Sequence, residues 1–478
     1  MIELCASIAT LSTTYLLANY ELSYKGVLRR LTAPNGRTGL SLPPHDWLRA
    51  LELFPEFRAY TVPHFGVEAE KAALTAYYKL ERPERPDEFF TLMDKAVYSV
   101  SAQIPPWHAP IWQTQEKWPD VIPLHVFYEA LSGITSSSHS GYPSCLLHQS
   151  KGSWLLDDVS LYNEVNARWA CIKALSPLVL NGLVTPDELV YSGVGDPFFA
   201  AIKNEARKIE KDDRIIMMAS IFNEILLVSL FAPFKAACQR NWGRDFYAPG
   251  FAFNPGSAKR MFSKFWVDGR PLNKNDSPKY DTSIIPEENR AFVDVAAQTC
   301  LDAQPWVWLA ARTIMAVESR KVIVLSNGQT QVHNNGEGGA SGVWITTLRN
   351  TIVRAIRSHV VQSHLGQRYP LSLHASDDTV ETNLPGLEEA YRHLGLRIRD
   401  SEAVTTDGIE FCSHFWEEGC FPVGTRIAKS FYSLVRSGKD FEPDRFSALC
   451  SAYFNHPDLP SFAARYLHLR GGFREGGQ

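Results

Sequence analysis

Apolar positions change their period several times along the chain, and each change marks an element. FFAAIK, 198–203, reads as a strand through Ile202, followed by a basic stretch to Arg214. IIMMASIFNEILLVSLFAPF, directly after Arg214, then predicts one apolar helix from its length and periodicity, with Asn223 and Glu224 as its polar face. A short strand ends at Asp276, and Pro286 with Glu287 and Glu288 marks a helix start, because proline suits the first turn and carboxylates favour the positive dipole end. KVIVLSNGQTQVHNN reads as a hairpin with a type I′ turn at Asn327-Gly328. GEGGASGVWITTLRNTIVRAIRSHVV is a Gly-rich loop running into a long helix, and LSLHASDDTVET is a second hairpin with two adjacent aspartates at its tip. A helix (LPGLEEAYRHLGL), a strand (LRIRDSEAV) and a third hairpin (IEFCSHFWEEGCFPV) follow. Helices alternating with antiparallel pairs predict an α+β fold, a sheet covered by helices on one face with its chemistry at one rim.

Composition narrows this picture only a little. The chain has 478 residues, 45% hydrophobic and 21% charged, which fits a globular protein of more than one lobe. Its net charge of −4 argues against a generic nucleic-acid-coating surface but leaves room for a local basic channel. The eight cysteines include no C-x-x-C, so reduced thiols are expected rather than a disulfide framework or zinc ribbon; a metal at Cys412, His414 and Cys420 would need a fourth ligand. No apolar run is expected to reach membrane-spanning length. The N-terminal CASIATLSTTYLLANY, broken by Ser, Thr and Asn and without a basic region before it, reads as an amphipathic helix or strand. Trp107, Trp112 and Trp118 in the aromatic- and proline-rich first third are expected to be core.

The tip residues Asp377 and Asp378 cannot both lie unpaired in a core, because buried charge is costly or shifts its pKa. At a turn they can instead offer oxygen ligands to a divalent cation such as Mg²⁺. Asp276, at the end of a separate strand in D-x4-D with Asp281, would complete a two-metal site for phosphoryl transfer. Lys203, Arg207, Lys208, Lys211 and Arg214 would supply cations for a triphosphate, although interleaved acids also fit a solvated charged surface. Gly336, Gly338 and Gly339 permit close backbone approach to a ligand. Beyond them, Thr346 and Asn350 project from one face of a helix.

In chain order these pieces resemble the viral RNA-dependent RNA polymerases. SGYPS (140–144) is similar to the template-side loop, motif G, KNEARKIEKDDRI (203–215) to the basic fingertip, motif F, and DSPKYD (276–281) to motif A. SGVWITTLRN (341–350) fits S-G-x3-T-x3-N of motif B, SDD (376–378) is similar to motif C, and EFCSH (410–414) to the primer-grip hairpin, motif E. DPFFAAIKNEARK, LSNG, SDDTVE and DGIEFCSH resemble the sobemovirus-like and polerovirus-like group in particular.

The resemblance implies a right-hand polymerase fold: an N-terminal extension or fingertips over 1–130, fingers over 131–270, an antiparallel RRM-like palm over 271–409 with a fingers insertion at about 295–340, and a primer-grip hairpin with a small helical thumb over 410–478. Asp276 and Asp377 would hold two Mg²⁺ ions, Mn²⁺ being able to substitute, with Asp378 supporting them. Asp281 and Asn350 would recognise the ribose 2′-hydroxyl, and Ser341 and Thr346 would adjust that network. Lys203, Arg207 and Lys211 would line the triphosphate path, and Arg214 would lie over the incoming base. Ser140, Gly141, Gly342, Phe411, Cys412 and Ser413 would contact template or primer.

Two departures stand out. Ser376 replaces the commoner glycine, and motif D has no lysine; Arg399 falls in its place, a poor proton donor with a pKa above ~12, with His393 or water as alternatives. Implied partners are RNA template and product, NTPs, a genome-linked protein primer and other viral replication proteins, with work in the host cytoplasm on membranes reached through partners. A reverse transcriptase shares the aspartates, but Asn350 would admit the 2′-hydroxyl. A silent RNA-binding scaffold would be expected to have lost the aspartates, which are all present.

Overall fold

The structure, a computed structural model, describes residues 47–78, 84–185, 188, 190, 195–240, 246–250, 252–265, 272–319, 322–332, 338–367, 371–404, 408–437 and 442–471. The N-terminal stretch CASIATLSTTYLLANY lies outside the described residues.

The first described segment, helix Trp47–Leu53 and strand β1 (Tyr60–Thr61), does not stand apart as an extension. Ala50, Phe54 and Phe57 share a buried aromatic cluster with Phe431, Tyr432, Phe462 and Tyr466 from the C-terminal helices. Strand β1 also pairs antiparallel with β3 (Arg207–Lys208) inside the basic stretch, and Ala206 joins the same cluster. The basic loop is thereby tied to the C-terminal lobe. Burying side chains of this size contributes about 1.5–3 kcal/mol each, so the link is a firm one.

One four-stranded sheet is ordered β4-β2-β6-β7, from β2 (Phe198–Ile202), β4 (Ile215–Met218), β6 (Val322–Val324) and β7 (Thr330–Val332). Strand β4 was not anticipated, its IIMM run reading as the start of the next helix; it alternates buried and half-buried and returns antiparallel along β2. Helix Ile221–Arg240 follows, and its expected polar face is corrected: Glu224 is buried and bonds Lys151 at 2.6 Å. The helix is long and apolar enough to cross a membrane, contrary to expectation, but 72% of its apolar window is buried in the core. The β6–β7 turn also differs. Asn327 keeps a negative φ and only Gly328 is left-handed, with Gly328 N–H donating to Leu325 O, as in a three-residue loop rather than a type I′ turn.

The second main sheet is antiparallel throughout, ordered β10-β5-β9-β8, from β5 (Leu272–Asp276), β8 (Ser372–Ala375), β9 (Asp378–Thr382) and β10 (Arg399–Val404). A small sheet of β11 (Ile409–Phe411), β12 (His414–Trp416) and β13 (Val423–Gly424) follows. Helices Asp87–Ser101, Pro286–Thr299 and Thr346–His364 pack together, and the last lies against β8 of the second main sheet. Trp107 and Trp112 are buried as expected, and Trp118 stacks on Trp306 at 5.6 Å.

Helix Thr346–His364 runs through the middle with Arg349, Arg354 and Arg357 all at most 2% exposed. Arg357 grips Glu288 with two bonds of 2.6 Å and donates to Ser283. Burial pushes the Glu288 carboxyl up, but the guanidinium outweighs it and holds Glu288 below its usual range. Glu288 also accepts from Ile285 N–H at 3.0 Å, so it caps the helix as its position suggested and anchors it as well. Arg357→Met leaves a buried carboxylate without its partner. This variant is expected to lose about 3–5 kcal/mol of stability at neutral pH in urea unfolding; a loss below about 1 kcal/mol would contradict the pairing.

Candidate active site

Strand pairing brings the aspartates together. Asn275 lies opposite Thr379, so the end of β5 that carries Asp276 meets the start of β9 that carries Asp378, and Asp377 occupies the turn between β8 and β9. That turn has only two residues, because Ala375 pairs with Asp378. Ser376 has φ 60, the left-handed region that glycine adopts most easily. Its N–H donates to Thr351 Oγ1 at 2.9 Å, and its hydroxyl accepts from Asn350 Nδ2 at 3.2 Å. The turn is thus held from the adjacent helix.

The same asparagine reaches Asp281, with Nδ2 to Oδ1 at 2.6 Å. Its own Oδ1 accepts from Arg349 Nε and Nη2 at 3.2 and 3.1 Å, which fixes which end of the amide faces Asp281. Arg349 passes so close to Gly339 that a Cβ there would lie 1.9 Å from Nη2. Gly339 therefore accommodates an arginine of the protein itself rather than a ligand. Gly336 lies outside the described residues.

Electrostatics mark the rim. Burial, then Asp281 and Asp276, push the Asp377 carboxyl up, while Arg214 opposes them. Asp378 is raised from 3.8 to about 6, first by burial and then by Asp377 and Asp276, against Arg426 and Lys274. Carboxylates that raise one another's affinity for protons have the donor set that a hard divalent cation neutralises, so these residues fit Mg²⁺. Beneath them Glu381 is fully buried and accepts from Asn275, Ser358, Gln362 and Tyr391.

The remaining expected residues divide. Arg214 and Lys203 both pair with Glu205, at 3.1 and 3.3 Å, and Lys429 joins from the C-terminal lobe at 3.7 Å. Burial pushes Glu205 up, but these cations hold it below its usual range. Arg207 instead pairs with Asp213 at 2.5 Å and donates to the Lys211 carbonyl, so it braces the loop; Lys211 is exposed. Gly342 is set against β4, where a Cβ would lie 2.8 Å from Met217 O. The Ser341 hydroxyl accepts from Met217 N–H at 3.5 Å, and the Thr346 hydroxyl donates to Ala340 O at 2.7 Å. Both bonds hold the loop rather than the Asp281–Asn350 pair.

Ser140 and Phe411, expected at template or primer, are buried, and Gly141 packs against the Ala219 backbone. Cys412 and Ser413 form a tight turn with φ 52 and 59. Burial, then Asp378 and Asp377, push the Cys412 thiol up, which places it near the rim. Arg399 lies opposite Asp276 on the edge strand, its side chain outside the described residues. His393 bonds Glu88 instead of any of the rim aspartates. Lys274, Arg426 and Lys429 were missed; the basic spacing of TRIAK after the third hairpin was a signal for the last two.

No protein-family model matches the chain. It is similar to the RNA-directed RNA polymerase of mushroom bacilliform virus, 25% identical over 358 residues that cover 71% of this chain and 84% of that protein. The replicase polyprotein P2AB of Southern bean mosaic virus is 24% identical over 84% of this chain, and protein P1-P2 of Turnip yellows virus 23% over 52%; the matches span 42% and 25% of those longer proteins. Among solved structures, the sicinivirus 3Dpol RNA-dependent RNA polymerase superposes with a TM-score of 0.63 at 16% identity, covering 88% of this chain and 90% of that one.

Two predictions test the rim. A carboxyl raised in the folded state weakens the metal-free fold at neutral pH, and that cost disappears as pH falls below its unfolded value of 3.8. Asp378→Asn is therefore expected to raise the Tm of metal-free protein at pH 7.5 but not at pH 3.5; an unchanged Tm at pH 7.5 contradicts the crowding. Ser376→Gly removes a left-handed serine, a strain of about 1 kcal/mol, together with one bond to Asn350. The two effects oppose each other, so stability in urea should change by less than about 1 kcal/mol; a loss above about 2 kcal/mol would mean that the hydroxyl dominates the turn.

Proposed function

We propose that this chain, a viral RNA-directed RNA polymerase by its relatives and its fold, joins nucleotides on an RNA template at the rim where Asp276, Asp377 and Asp378 meet. The observation that carries this reading is the convergence of three carboxylates with an Asp281–Asn350 pair at 2.6 Å.

Asp276 and Asp377 would hold two divalent ions, with Asp378 supporting them. Bound there, Mg²⁺ or Mn²⁺ supplies charge that activates the primer 3′-hydroxyl and steadies the leaving pyrophosphate. The chain's own residues do the positioning. The Asn350 amide, oriented by Arg349, and the Asp281 carboxylate offer a donor and an acceptor to a ribose 2′-hydroxyl, a group that both donates and accepts. Lys203, Arg214 and Lys429 surround Glu205 beside this rim and form the cationic wall a triphosphate would meet. Arg399 stays charged at neutral pH, so we assign it charge neutralisation rather than proton donation.

We extend this reading to priming by a genome-linked protein, and we place synthesis in the host cytoplasm on membranes reached through partners. Helix Ile221–Arg240 supports an indirect recruitment, being packed mostly in the core.

The test is primed RNA synthesis on a homopolymeric template with Mg²⁺ or Mn²⁺. Wild type is expected to extend the primer, and Asp377→Ala to lose at least about 10³-fold in rate, the scale of one oriented charge in a transition state. Equal extension by the variant would remove the metal from this turn.

A further inference from the structure

A second cluster of metal-ligating side chains lies away from the rim. Glu88, His364 and His393 bring one ligand atom each to within 4.8 Å of one another. His364 Nδ1 is 2.8 Å from Glu88 Oε1, His393 Nε2 is 3.3 Å from Oε2, and the imidazoles stack at 5.1 Å with 27° between their planes. His364 closes the same helix that carries Asn350; fourteen residues at about 1.5 Å each put the cluster about 21 Å along the axis from that amide. It is therefore separate from the carboxylates of the rim.

We infer that Glu88, His364 and His393 form a Zn²⁺ site that staples helix Asp87–Ser101 to the palm. Three arguments carry it. Two imidazole nitrogens and one carboxylate are a donor set zinc takes with a fourth position left to water. In a tetrahedral shell with bonds of about 2.0–2.1 Å, neighbouring ligand atoms lie about 3.3 Å apart; with one atom from each residue the three lie within 4.8 Å of one another, so side-chain shifts of about 1.5 Å or less close the shell. His364 and His393 also stand at helix C-termini, where the dipole favours positive charge, so an ion replaces the protons now shared between the rings and Glu88. Glu88 sits in the first turn of a third helix, so one ion would join three elements far apart in sequence.

The probe is Zn²⁺ itself on the metal-free full chain. Equilibrium dialysis with metal analysis gives stoichiometry, thermal unfolding gives the stabilisation, and Co²⁺ substitution reports coordination number by its visible absorption. Wild type should bind one Zn²⁺ at micromolar free metal with a raised Tm, and Co²⁺ should give the intense bands of a four-coordinate site. Both His364→Ala and Glu88→Gln should weaken this binding at least tenfold and abolish those bands. Glu88 is exposed, so Glu88→Gln tests the site even if His364→Ala proves unstable. Absence of binding at 100-fold higher Zn²⁺, or binding and spectra unchanged in the folded variants, overturns the assignment; the second result would place the ion elsewhere, with the rim aspartates as the first alternative.

Discussion

Three guanidinium groups buried along one helix are the constraint on which the rest depends. A buried arginine must have partners, since stranding a charge costs several kcal/mol, and the partners here come from the helices, strand and turn that surround the site. Arg349 takes Glu318 and the Asn350 amide, Arg354 takes Thr379 beside Asp378, and Arg357 takes Ser283 and Glu288 just beyond Asp281. Satisfying the arginines therefore places the Asp281–Asn350 pair and the aspartate turn relative to one another. In this chain the stability of the palm and the geometry of its chemistry are one requirement.

That rigidity allows conformations that would otherwise relax. A left-handed serine and crowded carboxylates both oppose folding, and both occur where the helix grips the turn through Thr351 and Asn350. A second linkage, both apolar and ionic, ties the basic loop to the C-terminal helices. The segment 47–61 packs on the C-terminal helices and pairs through β1 with the basic loop, while Lys429 reaches Glu205 across the same junction. The basic loop and the C-terminal helices are linked here by aromatic burial and by one carboxylate shared among cations.

Much of this was legible in the sequence. Period-two alternation located β8 and β9 and put Asp377 at their turn, and the short strand ending at Asp276 was named as well. Asp281 and Asn350 were named together, and they bond. What escaped has common physical causes. IIMM is too short and too apolar to distinguish a strand from a helix start, and Glu224 looks solvated until Lys151, distant in sequence, is known to face it. RNTIVRAIRSHVV resembles a surface helix, since no periodicity reveals that its arginines meet buried acids. Arg207 and Lys203 are alike in composition, yet one braces its loop through Asp213 and the other faces Glu205. Ser140 and Phe411 are buried and Gly141 and Gly342 closely packed, which only tertiary contact decides.

The central claim is that Asn350, held by Arg349, presents its amide beside Asp281 to read a ribose. The most direct measurement is the ratio of kcat/KM for UTP over dTTP in primed extension with Mg²⁺, for wild type and Asn350→Ala. The account predicts a strong ribonucleotide preference in wild type that falls by about 10-fold or more in the variant, the loss of one charge-assisted hydrogen bond worth about 1.5–3 kcal/mol, while Mg²⁺-dependent extension persists. A preference unchanged by the substitution would contradict it.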